Sequence, residues 1–310
     1  NRRQNNIFLS ICEVKPGVVW VSGFGAAIYE IQKKGKTIKK VDPTIYNADL
    51  ISDRYVNLLF KDSVGDIWIG GNYNLQRVSY NDGLLKKYED IPAVYTMLDR
   101  DEETLWLGTA KGLYILDKEN GALSQLDLPS GITPIYSLYQ DKDKNLFIGT
   151  STSGLIIYYV ANGDFSHYTV TNSSLVSNSI RTILSTCGKR LLLATEAGLS
   201  SFNLTQESFR NWTKDQGLQS AHFNPNSGII RKNNDVVLGS AEGIIAFAKT
   251  CDFPENQSSK LVLHELRVLH KTITPNDSTK ILDKPLDDID QLTLKYSQNL
   301  FSIRLGTINY

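Results

Sequence analysis

Short runs of apolar residues, separated by polar turns, follow one another along the whole chain. Their hydrophobic residues follow a period of two, as in 66–70, and almost no segment shows a sustained helical period. A period of two is typical of β-strands, whereas an amphipathic helix repeats every 3.6 residues. The pattern therefore predicts an all-β fold.

One motif recurs six times, and each copy centres on a bulky apolar residue that is followed two positions later by a small residue. These six central residues, called anchors below, are Trp20, Trp68, Trp106, Phe147, Leu192 and Val237. Successive anchors are 48, 38, 41, 45 and 45 residues apart. A period in the forties that consists of short strands is typical of β-propeller blades.

Each copy divides into four strands. An inner strand such as 55–60 is followed by a polar turn, by the anchor strand, by a third strand such as 112–117, and by a more polar outer strand such as 83–88. One such sheet cannot bury both of its faces alone, but sheets stacked around an axis can. We predict that the anchors fill the space between neighbouring sheets.

The bulk composition narrows the range of partners. The 310 residues are 41% hydrophobic and 21% charged, which is ordinary for a globular protein. Lys plus Arg and Asp plus Glu both number 33, so no net charge attracts nucleic acid or an acidic membrane surface. We expect the three cysteines to be buried thiols; one disulfide and one free thiol is the alternative. They are Cys12, Cys187 and Cys251.

The repeat unit resembles that of a known family. Asp62–Gly70 and Leu105–Leu113 fit the pattern D-x-x-G-x-I/L-W-I/L-G-T-x-x-G-L, which resembles the two-component regulator propeller repeat. His222, Phe223 and Asn224, ahead of the last anchor, resemble the final blade of that family. Leu192 and Val237 depart from the pattern because they replace its tryptophan.

The last part of the chain has a different strand pattern. Residues 261–268 and 292–305 resemble the opening strands of the triple-tyrosine sandwich domain that follows these propellers. We therefore predict a β-propeller of six repeat units over 1–254 and the start of an Ig-like β-sandwich over 255–310. The resemblance implies seven blades, so we expect a seventh before residue 1, in a protein longer than this chain at both ends.

The resemblance also implies a function. Such proteins are hybrid two-component sensor histidine kinases of bacteria whose propellers lie on the periplasmic side of the inner membrane and detect oligosaccharides derived from glycans. The sandwich would pass the signal, in a homodimer, to a membrane helix and a kinase outside these residues. A propeller that binds protein partners is the alternative, and a polysaccharide-degrading propeller enzyme is a weaker one.

The sequence offers little catalytic chemistry. The four histidines are scattered, no pair has the spacing of a metal site, and neither a nucleophile elbow nor a phosphate loop occurs. The acidic stretches 99–103 and 141–145 fall at turns that are polar in every copy, so we interpret them as solvated turns. We predict no catalytic residue, no metal and no cofactor.

The candidate ligand-binding residues lie where the repeats disagree. The position 11 residues before each anchor is mostly polar and varies from copy to copy, and it should face the mouth of the central channel. It holds Leu9, Asn57, Tyr95, Tyr136, Arg181 and Asn226. Tyrosine can stack on a sugar ring, while asparagine and arginine can bind hydroxyls; alternatively, these residues are polar only because water fills the channel.

Four further candidates flank this position. Asn72 and Tyr73 interrupt the usual Thr-x-x-Gly of the second copy, and His222 and Asn224 precede the last anchor.

Overall fold

The structure is a computed structural model of the chain, and it describes residues 7–23, 28–32, 35–41, 56–79, 83, 85–129, 134–186, 188–233, 235–248, 260–289 and 291–308. The chain divides into two compact units, Asn1–Cys251 and Asp252–Tyr310. The predicted boundary at 254 falls within 249–259, outside the described residues, and Cys187 and Cys251 are not described either.

The first unit consists of six consecutive antiparallel sheets, as the six repeats predict, and confirms the all-β propeller fold. The first two sheets contain β1 (Phe8–Lys15), β2 (Val18–Gly23), β3 (Ile28–Gln32), β4 (Thr37–Lys40), β5 (Val56–Lys61), β6 (Ile67–Gly71), β7 (Leu75–Val78) and β8 (Leu85–Tyr88). The next two contain β9 (Val94–Asp99), β10 (Thr104–Thr109), β11 (Gly112–Asp117), β12 (Leu123–Leu126), β13 (Ile135–Gln140), β14 (Leu146–Thr150), β15 (Leu155–Tyr159) and β16 (Asp164–Tyr168). The last two contain β17 (Ile180–Ser185), β18 (Arg190–Thr195), β19 (Leu199–Asn203), β20 (Ser208–Trp212), β21 (Phe223–Ile230), β22 (Asp235–Ser240) and β23 (Gly243–Ala248).

Each sheet is a meander in which every strand pairs with the next one along the chain. The first strand of each sheet is the inner one, and it contacts the first strand of the following sheet. The anchors all lie on the second strand. The sixth sheet has three strands among the described residues, where the repeat predicts four.

The first five anchors pack against the following sheet, as predicted, whereas Val237 on the last sheet is half-buried. Trp68 and Trp106 are 0% and 1% exposed, and Phe147 and Leu192 are equally buried. Trp106, on the third sheet, lies in a cluster with Ile135, Leu146 and Ile148 of the fourth. The free energy of apolar burial therefore stabilises the contact between sheets as well as each sheet itself.

The small residue two positions after the anchor is required by this contact. A Cβ atom on Gly108 would lie 2.4 Å from Cγ2 of Thr96 and 2.8 Å from Cγ2 of Ile135, on the inner strand of the next sheet. At Gly149 the corresponding distance to Cγ2 of Ile180 is also 2.8 Å. The glycine of the repeat is thus set by the close approach of the following inner strand.

The first and last sheets each leave an apolar face open. On the first sheet, Phe8 and Ile11 are 62% and 70% exposed, although the residues at the same repeat positions are buried in the next sheets, as Val56 and Leu59 are. On the last sheet, Ile244 is 76% exposed. The seventh blade stays a prediction, and these are the faces that such a sheet would cover.

The second unit contains a sheet in the order β25-β24-β26, formed by β24 (Lys260–Val268), β25 (Lys271–Ile273) and β26 (Phe301–Ile308). Its core holds Leu266, Val268, Ile273 and Leu282. The assignment to a triple-tyrosine sandwich stays a prediction. The helical segments among the described residues are single 3₁₀ turns, which are too short to span a bilayer.

Cys12 is the one cysteine within the described residues. It is a free thiol, half-buried on β1, and burial raises the pKa of its thiol group. A half-buried thiol with a raised pKa is mostly protonated and a weak nucleophile at neutral pH.

Candidate functional site: the inner-strand bulges

The predicted ligand position coincides with a β-bulge in the first five sheets. In the third sheet, Val94 pairs with Thr109 and Thr96 pairs with Gly108, so the pairing skips Tyr95. In the other four sheets the pairing likewise skips one residue of the inner strand. These residues are Leu9, Asn57, Tyr136 and Arg181. A bulge leaves its extra residue out of the ladder and redirects its side chain, and bulges are common next to functional sites.

Two of these residues form an aromatic pair. The ring centroids of Tyr95 and Tyr136 are 5.4 Å apart in an edge-to-face arrangement, and both side chains are half-buried. Burial raises the pKa of the Tyr95 phenol, and the neighbouring phenol of Tyr136 adds to the rise. Tyr95 is therefore neutral at physiological pH, and its hydroxyl can both donate and accept a hydrogen bond.

Arg181 extends this pair. The carbon of its guanidinium lies 4.6 Å from the ring centroid of Tyr136, which is within the range of a cation–π contact. Nη2 of Arg181 donates to Oε1 of Glu196, while its Nε is buried and has no hydrogen-bond partner among the described residues. One donor of the guanidinium is thus unused beside the aromatic pair.

Glu196 is the residue that sequence reasoning missed. It lies four positions after its anchor, in the turn between β18 and β19, and its side chain is 50% exposed. Asn72 occupies the same position of the second repeat, and its Oδ1 accepts a hydrogen bond of 2.8 Å from Nδ2 of Asn57. The position four residues after the anchor also varies between repeats, and this variation could have identified it. Its side chain is the partner of the bulge residue in the same sheet.

Where the bulge residue is tyrosine, the partner position holds a small residue. Ala110 stands at that position in the third sheet, and Ser151 in the fourth. The tyrosine pair therefore lies between two polar pairs, Asn57 with Asn72 on the second sheet and Arg181 with Glu196 on the fifth.

The structure brings the other predicted residues together only in part. Asn226 reaches this group, since its Nδ2 donates to the carbonyl oxygen of Tyr95 over 2.6 Å. Tyr73 is 77% exposed and follows Asn72 in the turn. His222 and Asn224 are exposed; the described hydrogen bonds of both are made by their backbones, and none of them reaches the tyrosine pair.

The acidic turns have structural partners, in line with their interpretation as turns. Asp99 accepts hydrogen bonds from Nζ of Lys118 and from the backbone of Ser63, and Asp101 accepts bonds from the backbone of its own turn. Asp141 bonds the backbone of Asp143 in the same way. Among the described residues, no group of three or more His, Cys, Asp or Glu side chains is placed to hold a metal ion.

Comparisons with known proteins agree with the repeat and the fold. The sequence pattern of the two component regulator propeller matches residues 130–152, which include β13 and β14. Histidine kinase P4 of Formosa agariphila is 24% identical over 316 aligned residues, which are 94% of this chain and 22% of that protein. The chain thus spans about a fifth of the length of the curated relative it matches.

Two solved structures are similar in fold. The extracellular domain of a hybrid two component system from B. thetaiotaomicron matches 98% of this chain and 47% of its own, with a TM-score of 0.56 and 17% identity. Virginiamycin B lyase from Staphylococcus aureus matches 79% of this chain and 85% of its own, with a TM-score of 0.56 and 14% identity. The chain therefore carries the two component regulator propeller repeat on a β-propeller fold, and along nearly its whole length it is similar to part of a histidine kinase.

Proposed function

We propose that this chain is the extracytoplasmic ligand-sensing region of a bacterial hybrid two-component sensor histidine kinase and that it detects glycan-derived oligosaccharides. The observation that carries the proposal is the tyrosine pair between two polar pairs, on bulges of four consecutive sheets. The similarity to the extracellular domain of a hybrid two component system supports the sensor role and a periplasmic location.

The chemistry of this group suits a sugar. The ring of Tyr95 or Tyr136 offers an apolar face for a pyranose ring, and their phenols can bind hydroxyl groups. Amide, guanidinium and carboxylate groups on either side are planar donors and acceptors for hydroxyl groups. An apolar surface with a few convergent polar groups is the usual composition of a small-molecule site.

A ligand changes the output only if it binds two states of the receptor with different affinities. In the proposed mechanism the oligosaccharide shifts the arrangement of a homodimer, and the second unit passes this shift to a membrane helix and a kinase outside these residues. The propeller itself would have no catalytic role. A propeller that binds protein partners is the alternative that the following experiment separates.

The complete extracytoplasmic region should be titrated calorimetrically with short neutral and uronate-containing oligosaccharides, such as cellohexaose, mannohexaose and oligogalacturonate hexamers. We expect one class to bind and Tyr95→Ala or Tyr136→Ala to weaken it about tenfold, since an aromatic contact contributes roughly 0.5–1.5 kcal/mol beyond its area. Tyr29→Ala, at an exposed tyrosine outside the bulges, is the matched control and should bind normally.

Equal affinity of the Tyr95 and Tyr136 variants and the wild type would place the site elsewhere. Failure of every oligosaccharide class to bind would favour the protein-binding propeller.

A further inference from the structure

The inner strand of the sixth sheet has a larger bulge than the others. Phe223 pairs with Ser240 and Gly228 pairs with Leu238, so residues 224–227 stand opposite Gly239 alone. Asn226 lies at the centre of this segment with φ of 49°, in the left-handed region. Asparagine tolerates that region better than most residues, which fits its presence here.

The base of this segment is tied to the fifth sheet. Oγ1 of Thr182, next to Arg181 in sequence, donates to the carbonyl oxygen of Asn224 over 3.3 Å. Oγ1 of Thr182 also accepts a hydrogen bond of 3.2 Å from the backbone N–H of Ser227. The two ends of the bulge are thus both bonded to Thr182 of the fifth sheet.

The tip of the segment reaches the third sheet. Nδ2 of Asn226 lies 2.6 Å from the carbonyl oxygen of Tyr95, which is 131 residues away in sequence. The strand pairing skips Tyr95 because it is the extra residue of its own bulge. The carbonyl group at this bulge is therefore available to a partner from another sheet.

We propose that Asn226 is a positioning residue that ties the sixth sheet to the third when no ligand is bound, and that a sugar on the tyrosine pair displaces it. The inference rests on the proposed function, because it describes how binding of a sugar at that same site changes a contact between two sheets. A hydroxyl group of a sugar stacked on Tyr95 competes with Asn226 for the same carbonyl oxygen.

Release of Asn226 would free the tip of the bulge on β21, while the strand itself stays paired with β22. The chain runs from this strand through β22 and β23 directly into the second unit. The sheet that Asn226 ties to the third sheet is therefore the one that precedes the second unit in the sequence.

The test uses Asn226→Gly and Asn226→Asp in the complete extracytoplasmic region. Glycine removes the side chain and keeps the left-handed backbone, and aspartate keeps the shape and removes the donor. Asn224→Ala is the control, since the described hydrogen bond of Asn224 is made by its backbone carbonyl.

Without sugar, hydrogen exchange of residues 223–230 should become about fivefold faster in both Asn226 variants, the factor expected for one hydrogen bond, and should not change in the control. Unchanged exchange would overturn the proposal.

With sugar, the hexasaccharides named above should bind Asn226→Gly about fivefold more tightly than the wild type, because a competitor has been removed. Weaker binding would make Asn226 a direct ligand contact and would also overturn it. If no hexasaccharide binds any variant, the proposed function fails, and the exchange result still decides whether Asn226 ties the two sheets.

Discussion

Replacing Lys118 with methionine should lower the free energy of unfolding of the propeller unit by about 3–5 kcal/mol, the usual loss when one partner of a buried ion pair is removed. Nζ of Lys118 lies 2.8 Å from Oδ1 of Asp99 and 3.3 Å from Oδ2 of Asp62. The side chain of Lys118 is 5% exposed and that of Asp62 is fully buried. Without the ammonium group, the Asp62 carboxylate stays buried without its cation.

This ion pair joins two sheets. Asp62 follows the inner strand of the second sheet, and Lys118 follows the third strand of the third. Asp62 also accepts hydrogen bonds from the indole of Trp68 and from the backbone of Gly65 and Asp66, so it cannot turn outward without breaking them. The first aspartate of the repeat thus has a structural role.

Denaturant unfolding measures the loss. Lys111→Met removes an exposed lysine in the same sheet and should change the free energy of unfolding by less than about 0.5 kcal/mol. Adding Asp99→Asn to Lys118→Met should restore part of the loss, because one of the two carboxylates left without their cation is then neutral. A loss below about 1 kcal/mol in the single variant would show that the ion pair does not hold the sheets together.

Replacing Trp106 with alanine, in a separate variant, should lower the free energy of unfolding by about 3–5 kcal/mol. This is the usual loss when a large aromatic residue is deleted from a core. Trp106 is 1% exposed and lies between the third and fourth sheets, where its ring contacts that of Tyr158 edge to face at 6.3 Å. A domain is stable by only about 5–15 kcal/mol, so this variant should be close to unfolding.

Two further variants distinguish the effect of packing between two sheets from the effect of burying any tryptophan. Trp212→Ala removes a half-buried tryptophan on an outer strand and should cost less than half as much. Trp106→Phe should be the milder change at the anchor itself, because Phe147 fills the corresponding position of the next sheet. Equal losses for Trp106→Ala and Trp212→Ala would contradict the role of the anchors between sheets.

The sequence predicted the sheets well because each sheet is determined by residues close together in the chain. The anchor and the small residue that follows recur in register with the strand pattern, so all six sheets fall where the repeats predict. The burial of Trp68, Trp106 and Phe147 follows from the same pattern. Val237 is the exception, since it is half-buried on the open face of the last sheet.

The variable position was also predictable, because a mostly polar residue at a fixed distance from the anchor interrupts the apolar pattern of the inner strand. The bulge at that position became visible only in the strand pairing. The contacts between sheets were not predictable. The bond from Asn226 to Tyr95 and the ion pair of Lys118 with Asp62 depend on which sheets meet in space. The pairing of Arg181 with Glu196 depends on two variable repeat positions that only the folded sheet shows to be adjacent.

Hydroxyl-radical footprinting of the complete extracytoplasmic region tests the central claim most directly, since it reports which tyrosine rings a bound sugar covers. With a saturating oligosaccharide, oxidation of Tyr95 and Tyr136 should fall several-fold, while that of Tyr29 should stay constant. A bound oligosaccharide that leaves the oxidation of Tyr95 and Tyr136 unchanged would contradict the account, because it would place the sugar away from the inner-strand bulges.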